Sequence, residues 1–90
     1  MAVLVDPAMW PAHGRLWAHM VSDTDLQELH AFAAAHGIPA RAFDRDHYDV
    51  PADALPRLIA AGAIGVSAHE LTRRLIASGL RITARERRER

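Results

Sequence analysis

Apolar and polar positions follow two periods along the chain, near 2 in some stretches and near 3.6 in others. Ala2 to Val5 is an unbroken apolar run closed by Asp6-Pro7. Proline cannot donate to a central ladder, so a buried first strand is predicted to stop there. Residues 7–15, PAMWPAHGR, hold two prolines and a glycine and read as a loop. Leu16 to Val21 is apolar apart from His19 and reads as a second strand, although so short a run also suits the start of a buried helix. Ser22, Asp23, Thr24 and Asp25 are N-cap candidates and Gly37 is a left-handed terminator, which predicts a first helix between them. On that helix Leu26, Leu29, Phe32, Ala33 and His36 fall within an arc of about 120°.

Ala42 to Val50 reads as a third strand closed by Pro51, with Phe43, Arg45, His47 and Asp49 on one face and Asp44, Asp46, Tyr48 and Val50 on the other. A second helix is expected from about Asp53, with Pro56 in its first turn and Gly62 as its stop. Ala63 to Val66 gives a fourth strand. Ser67-Ala68-His69-Glu70 is a capping box, and Leu71, Leu75 and Ile76 followed by Gly79 complete a third helix, with Glu70 and Arg74 paired along its surface. Leu80 and Ile82 alternate with Arg81 and Thr83, which allows a short last strand. Strands alternating with helices imply an α/β fold: a small single-layer sheet of four to five strands, largely parallel or mixed, with three helices. Ligands of such sheets collect beyond the C-terminal ends of the strands.

Composition narrows the picture. Ninety residues make one domain, expected over residues 1–82, which buries roughly 60–65 per cent of its unfolded surface. Residues 83–90 form a charged tail, expected to be frayed or disordered. No apolar run reaches the roughly 18 residues of a membrane span, and the first residues do not resemble a signal peptide. Together with the absence of cysteine, this points to a cytoplasmic protein without disulfides or thiolate metal sites. The 11 basic residues, all arginine, balance 11 acids. Five of those arginines lie in residues 81–90, so the rest of the chain is net acidic and any contact with nucleic acid must run through the tail.

Several stretches, VLVDP at 3–7, WPAHGRLWAHMVSDT at 10–24, ELHAFAAAHGIP at 28–39, FDRDHYDV at 43–50 and VSAHEL at 66–71, together resemble one bacterial and phage family, domain of unknown function 4031. The similarity runs to about Leu80, and the joint occurrence of WPAHGRLW and DHYDV is its most specific part. The resemblance implies a compact single-domain protein and transfers no catalytic assignment, so the site must be argued from side-chain chemistry.

Asp6 ends the first strand. If the third strand runs in the same direction, His47 and Asp49 meet Asp6 at one edge of the sheet, and His19 from the second strand joins them. His47 and Asp49 share a strand face about 7 Å apart. Neutral imidazole with carboxylate oxygen suits Zn, Mn or Fe, and a site with three protein ligands keeps a position for water. Metal-activated water is the route to hydrolysis of a phosphoester or similar bond. Three readings of the His47 and Asp49 pair stay open: metal ligands with Asp6 and His19, a metal-free acid/base pair in which Asp49 orients His47, or a structural hydrogen bond.

In the 7–15 loop, Trp10, His13 and Arg15 can form a lid that holds a small anionic ligand, Arg15 by its planar fork of donors and Trp10 by stacking. No dinucleotide fingerprint or phosphate-loop motif accompanies them. Trp17 is expected in the core, His36 at the helix C-cap, His30 and His69 solvated or half-buried, and Asp44 and Asp46 on a solvated edge. Two other functional classes stand beside metal-assisted hydrolysis. One is a non-catalytic binding or regulatory module acting as a homodimer or on a protein partner. The other is nucleic-acid contact through the RERRER tail.

Overall fold

A computed structural model describes residues 2–82. The chain forms β1 (Val3–Val5), β2 (Trp10–Ala12), β3 (Arg15–Ser22), α1 (Leu26–Ala35), β4 (Phe43–Asp44), β5 (His47–Pro51), α2 (Leu55–Ala60), β6 (Ile64–Gly65) and α3 (Ala68–Ser78). The strands make one mixed sheet in the order β4-β5-β3-β1-β6, with β2 also paired to β3. This is the α/β class with three helices, built on six strands rather than four to five. Only β1 and β6 are parallel. The other four pairings are antiparallel; β2 reaches β3, and β4 reaches β5, through tight turns, whereas β6 is reached over α2.

Two segments differ from expectation. Residues 7–15 are not a loop. After Pro7 interrupts the ladder the chain resumes as β2, paired Trp10 to Trp17 and Ala12 to Arg15 around a two-residue turn. Both turn residues, His13 (φ 52°) and Gly14 (φ 76°), have positive φ, as the hairpin turn matching strand twist requires. Pro11 is tolerated because β2 lies at an edge. The 42–50 stretch is likewise not one strand. It folds back at Arg45 (φ 62°) and Asp46, so Phe43 pairs with Tyr48 and lies on the opposite face from His47.

The helices follow their caps. Asp25 accepts from the Glu28 amide at 2.7 Å, and Ser67 accepts from the Glu70 amide at 3.0 Å. Gly79 closes α3 in the left-handed conformation. Glu70 pairs with Arg73 rather than Arg74, because Arg74 reaches across to Asp23. Residues 80–82 form no strand, since Arg81 and Ile82 bind a side chain instead of a ladder. Thr83 and the RERRER tail, and with them the nucleic-acid reading, lie outside the described residues.

Alternation divides the sheet into two faces. Val3, Val5, Met20, Tyr48 and Val50 pack with Leu29, Ala33 and Leu58 of α1 and α2 in the larger core. Leu4 and Val21 pack on the other face against Leu71 and Leu75 of α3. A single helix covers only part of that second face, and the uncovered remainder holds the polar residues.

Asp23 ties this layer together, accepting from the Ala2 amide at 2.8 Å, from Thr24 Oγ1 and from the Arg74 guanidinium. Burial pushes its carboxyl pKa up, but these donors outweigh it and hold the group below the ordinary 3.8. A carboxylate with a lowered folded-state pKa contributes stability that is present above its unfolded pKa and is lost as pH falls through the lower folded value. Asp23→Ala is therefore expected to lose about 1–2 kcal/mol at neutral pH. Its urea midpoint should also fall less than the wild type's between pH 5 and 2.

Candidate functional site

The site follows from strand register. β1, β3 and β5 lie side by side, antiparallel in turn, so β1 and β5 point the same way, as convergence of Asp6 with His47 and Asp49 requires. The Asp6 amide donates to the His19 carbonyl at 3.2 Å, and His19 pairs with Asp49 across β3 and β5. Asp6, His19 and Asp49 thus form a row across three strands. His47, two residues before Asp49, projects to the same face. The row sits on the sheet face beside α3, next to Leu71, Leu75 and Arg81, rather than at an outer edge of the sheet.

The two histidines are held alike. Asp6 Oδ1 accepts from the His19 amide at 2.7 Å, and its Oδ2 lies 2.9 Å from His19 Nδ1. Asp46 Oδ1 lies 2.7 Å from His47 Nδ1, while its Oδ2 accepts from the Ile82 amide at 2.8 Å and from Arg81 at 3.4 Å. The side chains of Asp6 and Asp46 are 4 and 0 per cent exposed, whereas His19 and Asp49 are 38 and 31 per cent exposed. Two aspartates therefore stand behind the rings; the His19 ring and Asp49 reach the surface, while the His47 ring is 13 per cent exposed. The imidazoles meet edge to face with centroids 5.1 Å apart. One ligand atom from each of His19, His47 and Asp49 lies within 4.8 Å of the other two.

A carboxylate only accepts hydrogen bonds, so each Nδ1 must carry the proton and each Nε2 of a neutral ring presents a lone pair. His47 Nε2 nevertheless lies 3.1 Å from Asp49 Oδ1. Two acceptors at that distance repel unless a proton or a cation lies between them. The hydrogen bond to Asp6 raises the His19 pKa above its ordinary 6.5 against the opposing effect of burial, with Asp6 and Asp49 charges adding to the rise. Burial pushes the Asp46 carboxyl up, but the His47 ring, the Ile82 amide and Arg81 together hold it below its ordinary value.

Of the expected residues, His19, His47 and Asp49 converge. Asp6 contacts the cluster through His19, both of its oxygens being taken by that residue. Trp10, His13 and Arg15 lie on the β2–β3 hairpin and line a cleft of about 440 Å³ that Asp49 also lines. Trp17 is not in the core. It is half-buried on the open face, because residues 17, 19 and 21 share a side of β3, and it stacks on Trp10 at 5.8 Å. His36 caps α1 and packs on Phe32, and His69 is exposed. His30 is exposed and bonds the Tyr48 hydroxyl at 2.6 Å. Asp44 is exposed, but Asp46 is fully buried and not on a solvated edge. It is the residue of the candidate site that reading the chain as one strand conceals. No helix among the described residues is long and apolar enough to cross a membrane.

Comparison with known proteins gives one result. The family described as Protein of unknown function (DUF4031) matches over residues 3–78. No curated protein and no solved structure matches the chain.

Proposed function

The chain belongs to the DUF4031 family, whose description carries no activity, and we propose from the chemistry of its site that it binds one divalent metal ion. The ligands are His19 Nε2, His47 Nε2 and an Asp49 oxygen. The observation that carries this reading is the convergence of three ligand atoms, two of them on rings whose Nδ1 is held by a buried aspartate. Carboxylates behind ligating imidazoles fix the tautomer and raise ligand basicity. Two imidazoles and one carboxylate suit Zn, Fe or Mn.

An ion held by His19, His47 and Asp49 would supply activation of a water near neutral pH. Asp49 both completes the ligand set and borders the cleft, so a substrate held in the cleft would lie next to the ligands. The reaction class this arrangement favours is hydrolysis of a phosphoester, in which a water would add to phosphorus as the ester oxygen leaves with a proton from that water. Asp6 and Asp46 act through the rings they hold and touch neither metal nor substrate.

Elemental analysis of protein purified without a histidine tag, stripped with chelator and reloaded separately with Zn, Mn or Fe(II), tests the reading. About one ion per chain is expected in the wild type and less than a tenth of that in His47→Ala and His19→Ala. Equal metal content in all three proteins, or none in the wild type, retires the metal site.

A further inference from the structure

The cleft beside the metal ligands has a composition that the ligands alone do not explain. Its volume, about 440 Å³, is that of a small-molecule site. The β2–β3 hairpin contributes Trp10, Trp17 and Arg15, the segment after α1 contributes Arg41, α2 contributes Arg57, and Asp49 is the one acid on the wall. Three guanidinium groups against one carboxylate make a basic pocket in a part of the chain that is otherwise net acidic, and a cation on Asp49 makes it more so.

The aromatic wall is equally specific. Trp10 and Trp17 lie 5.8 Å apart and 22° from parallel, and the Arg15 guanidinium carbon sits 5.9 Å from the Trp17 ring centre. Trp17 Nε1 donates to the Ala12 carbonyl at 2.9 Å, which fixes its indole on the hairpin. Trp10 Nε1 is buried with no partner, the one such side-chain donor or acceptor among the described residues. Buried donors are normally satisfied, and this orphan belongs to a residue that lines the cleft. Arg57 is steadied by the His36 carbonyl at 3.3 Å, so it can meet an anion with little ordering cost.

We infer that the cleft binds a nucleoside monophosphate, with its phosphate among Arg15, Arg41 and Arg57 next to Asp49 and its base on the indole surface. Planar guanidinium forks match phosphate oxygens, and indoles stack on bases with little dependence on which base is present. A phosphate without a ring leaves the indoles unused, and a nucleoside without a phosphate leaves the arginines unused. The inference rests on the metal reading only in naming what such a nucleotide is for, since arginines and indoles hold it without the ion.

The chain has two tryptophans, and both line the cleft, so quenching of intrinsic fluorescence reports its occupancy directly. Metal-free protein is titrated with AMP, ribose 5-phosphate and adenosine, then AMP is repeated on Arg41→Ala and Arg57→Ala. AMP is expected to bind at least tenfold more tightly than either fragment. Each arginine variant should weaken it about tenfold, because each removes one phosphate contact from the exposed rim without touching the core. The titration uses chelator-stripped wild-type protein, so failure of the metal site leaves this result standing. Absence of quenching by millimolar AMP, equal affinity for ribose 5-phosphate or for adenosine, or unchanged affinity in both arginine variants overturns the inference.

Discussion

Replacing Asp46 with alanine is expected to lower folding stability by about 3 kcal/mol and to weaken metal binding 10- to 100-fold. The two effects share a cause. The carboxylate is fully buried and receives the His47 ring at 2.7 Å, the Ile82 amide at 2.8 Å and the Arg81 guanidinium at 3.4 Å. Removing it strands the first two donors, each at a cost of about 1–2 kcal/mol. Arg81 is 40 per cent exposed and recovers water, so it adds little. Without Asp46 the His47 ring is free to rotate and to take the other tautomer, and Nε2 is no longer aimed at the ion. Urea unfolding and competition with a chelator measure the two quantities separately. A stability loss with unchanged metal affinity means that His47 is oriented by something other than Asp46. Asp46→Asn should lie between the wild type and alanine, since the amide keeps one acceptor but turns two donors toward groups that already donate.

That buried aspartate marks where the sequence was hard to read. Asp44, Arg45 and Asp46 form a charged run, and such runs are usually solvated. What places Asp46 inside is the turn at Arg45, and its trace in the sequence is a change of phase: Phe43 falls on odd positions while Tyr48 and Val50 fall on even ones. A single strand cannot put these three on one face, but a hairpin can, and the Phe43 to Tyr48 pairing is the result. The 10–17 hairpin was hidden in the same way. Pro7 and Pro11 suggested a loop, yet His13-Gly14 supplies two residues with positive φ, and proline is no obstacle on an edge strand.

Where the deciding interaction is local, the reading is direct. Ser67 caps α3 by accepting from the Glu70 amide, although the Glu70 side chain pairs with Arg73 instead of closing the box, Gly79 ends that helix, and Asp25 and Gly37 bound α1. His19, His47 and Asp49 were legible because period-2 spacing fixes which face a strand residue occupies whatever its neighbours are. The strand order that brings His19 opposite Asp49 was not legible. It depends on whether each link is a two-residue turn or a helix, and here two of the five links, β2 to β3 and β4 to β5, are such turns. The site emerged from antiparallel pairing, although the alternating elements suggested parallel units.

Leu75→Ala is expected to cost about 3 kcal/mol and to lower the melting temperature by roughly 10–20 °C, whereas Ile76→Ala should change stability by less than about 0.5 kcal/mol. The residues are adjacent on α3, but Leu75 is 2 per cent exposed and Ile76 60 per cent. Leu71 and Leu75 are the buried residues of that helix, and with Leu4 and Val21 they make up the small core on the site face. Four buried side chains leave little capacity to close over a cavity, so the transfer and void costs of truncation both appear. The metal ligands come from β3 and β5, not from α3, so Leu75→Ala should still bind one ion per chain. An ion at a hundred times its dissociation constant adds about 2.7 kcal/mol to whichever protein binds it. The melting temperature of metal-loaded Leu75→Ala should therefore return close to that of the metal-free wild type. If the variant instead loses its metal along with its stability, α3 is part of what orients the histidines, and the strand framework alone does not hold the site.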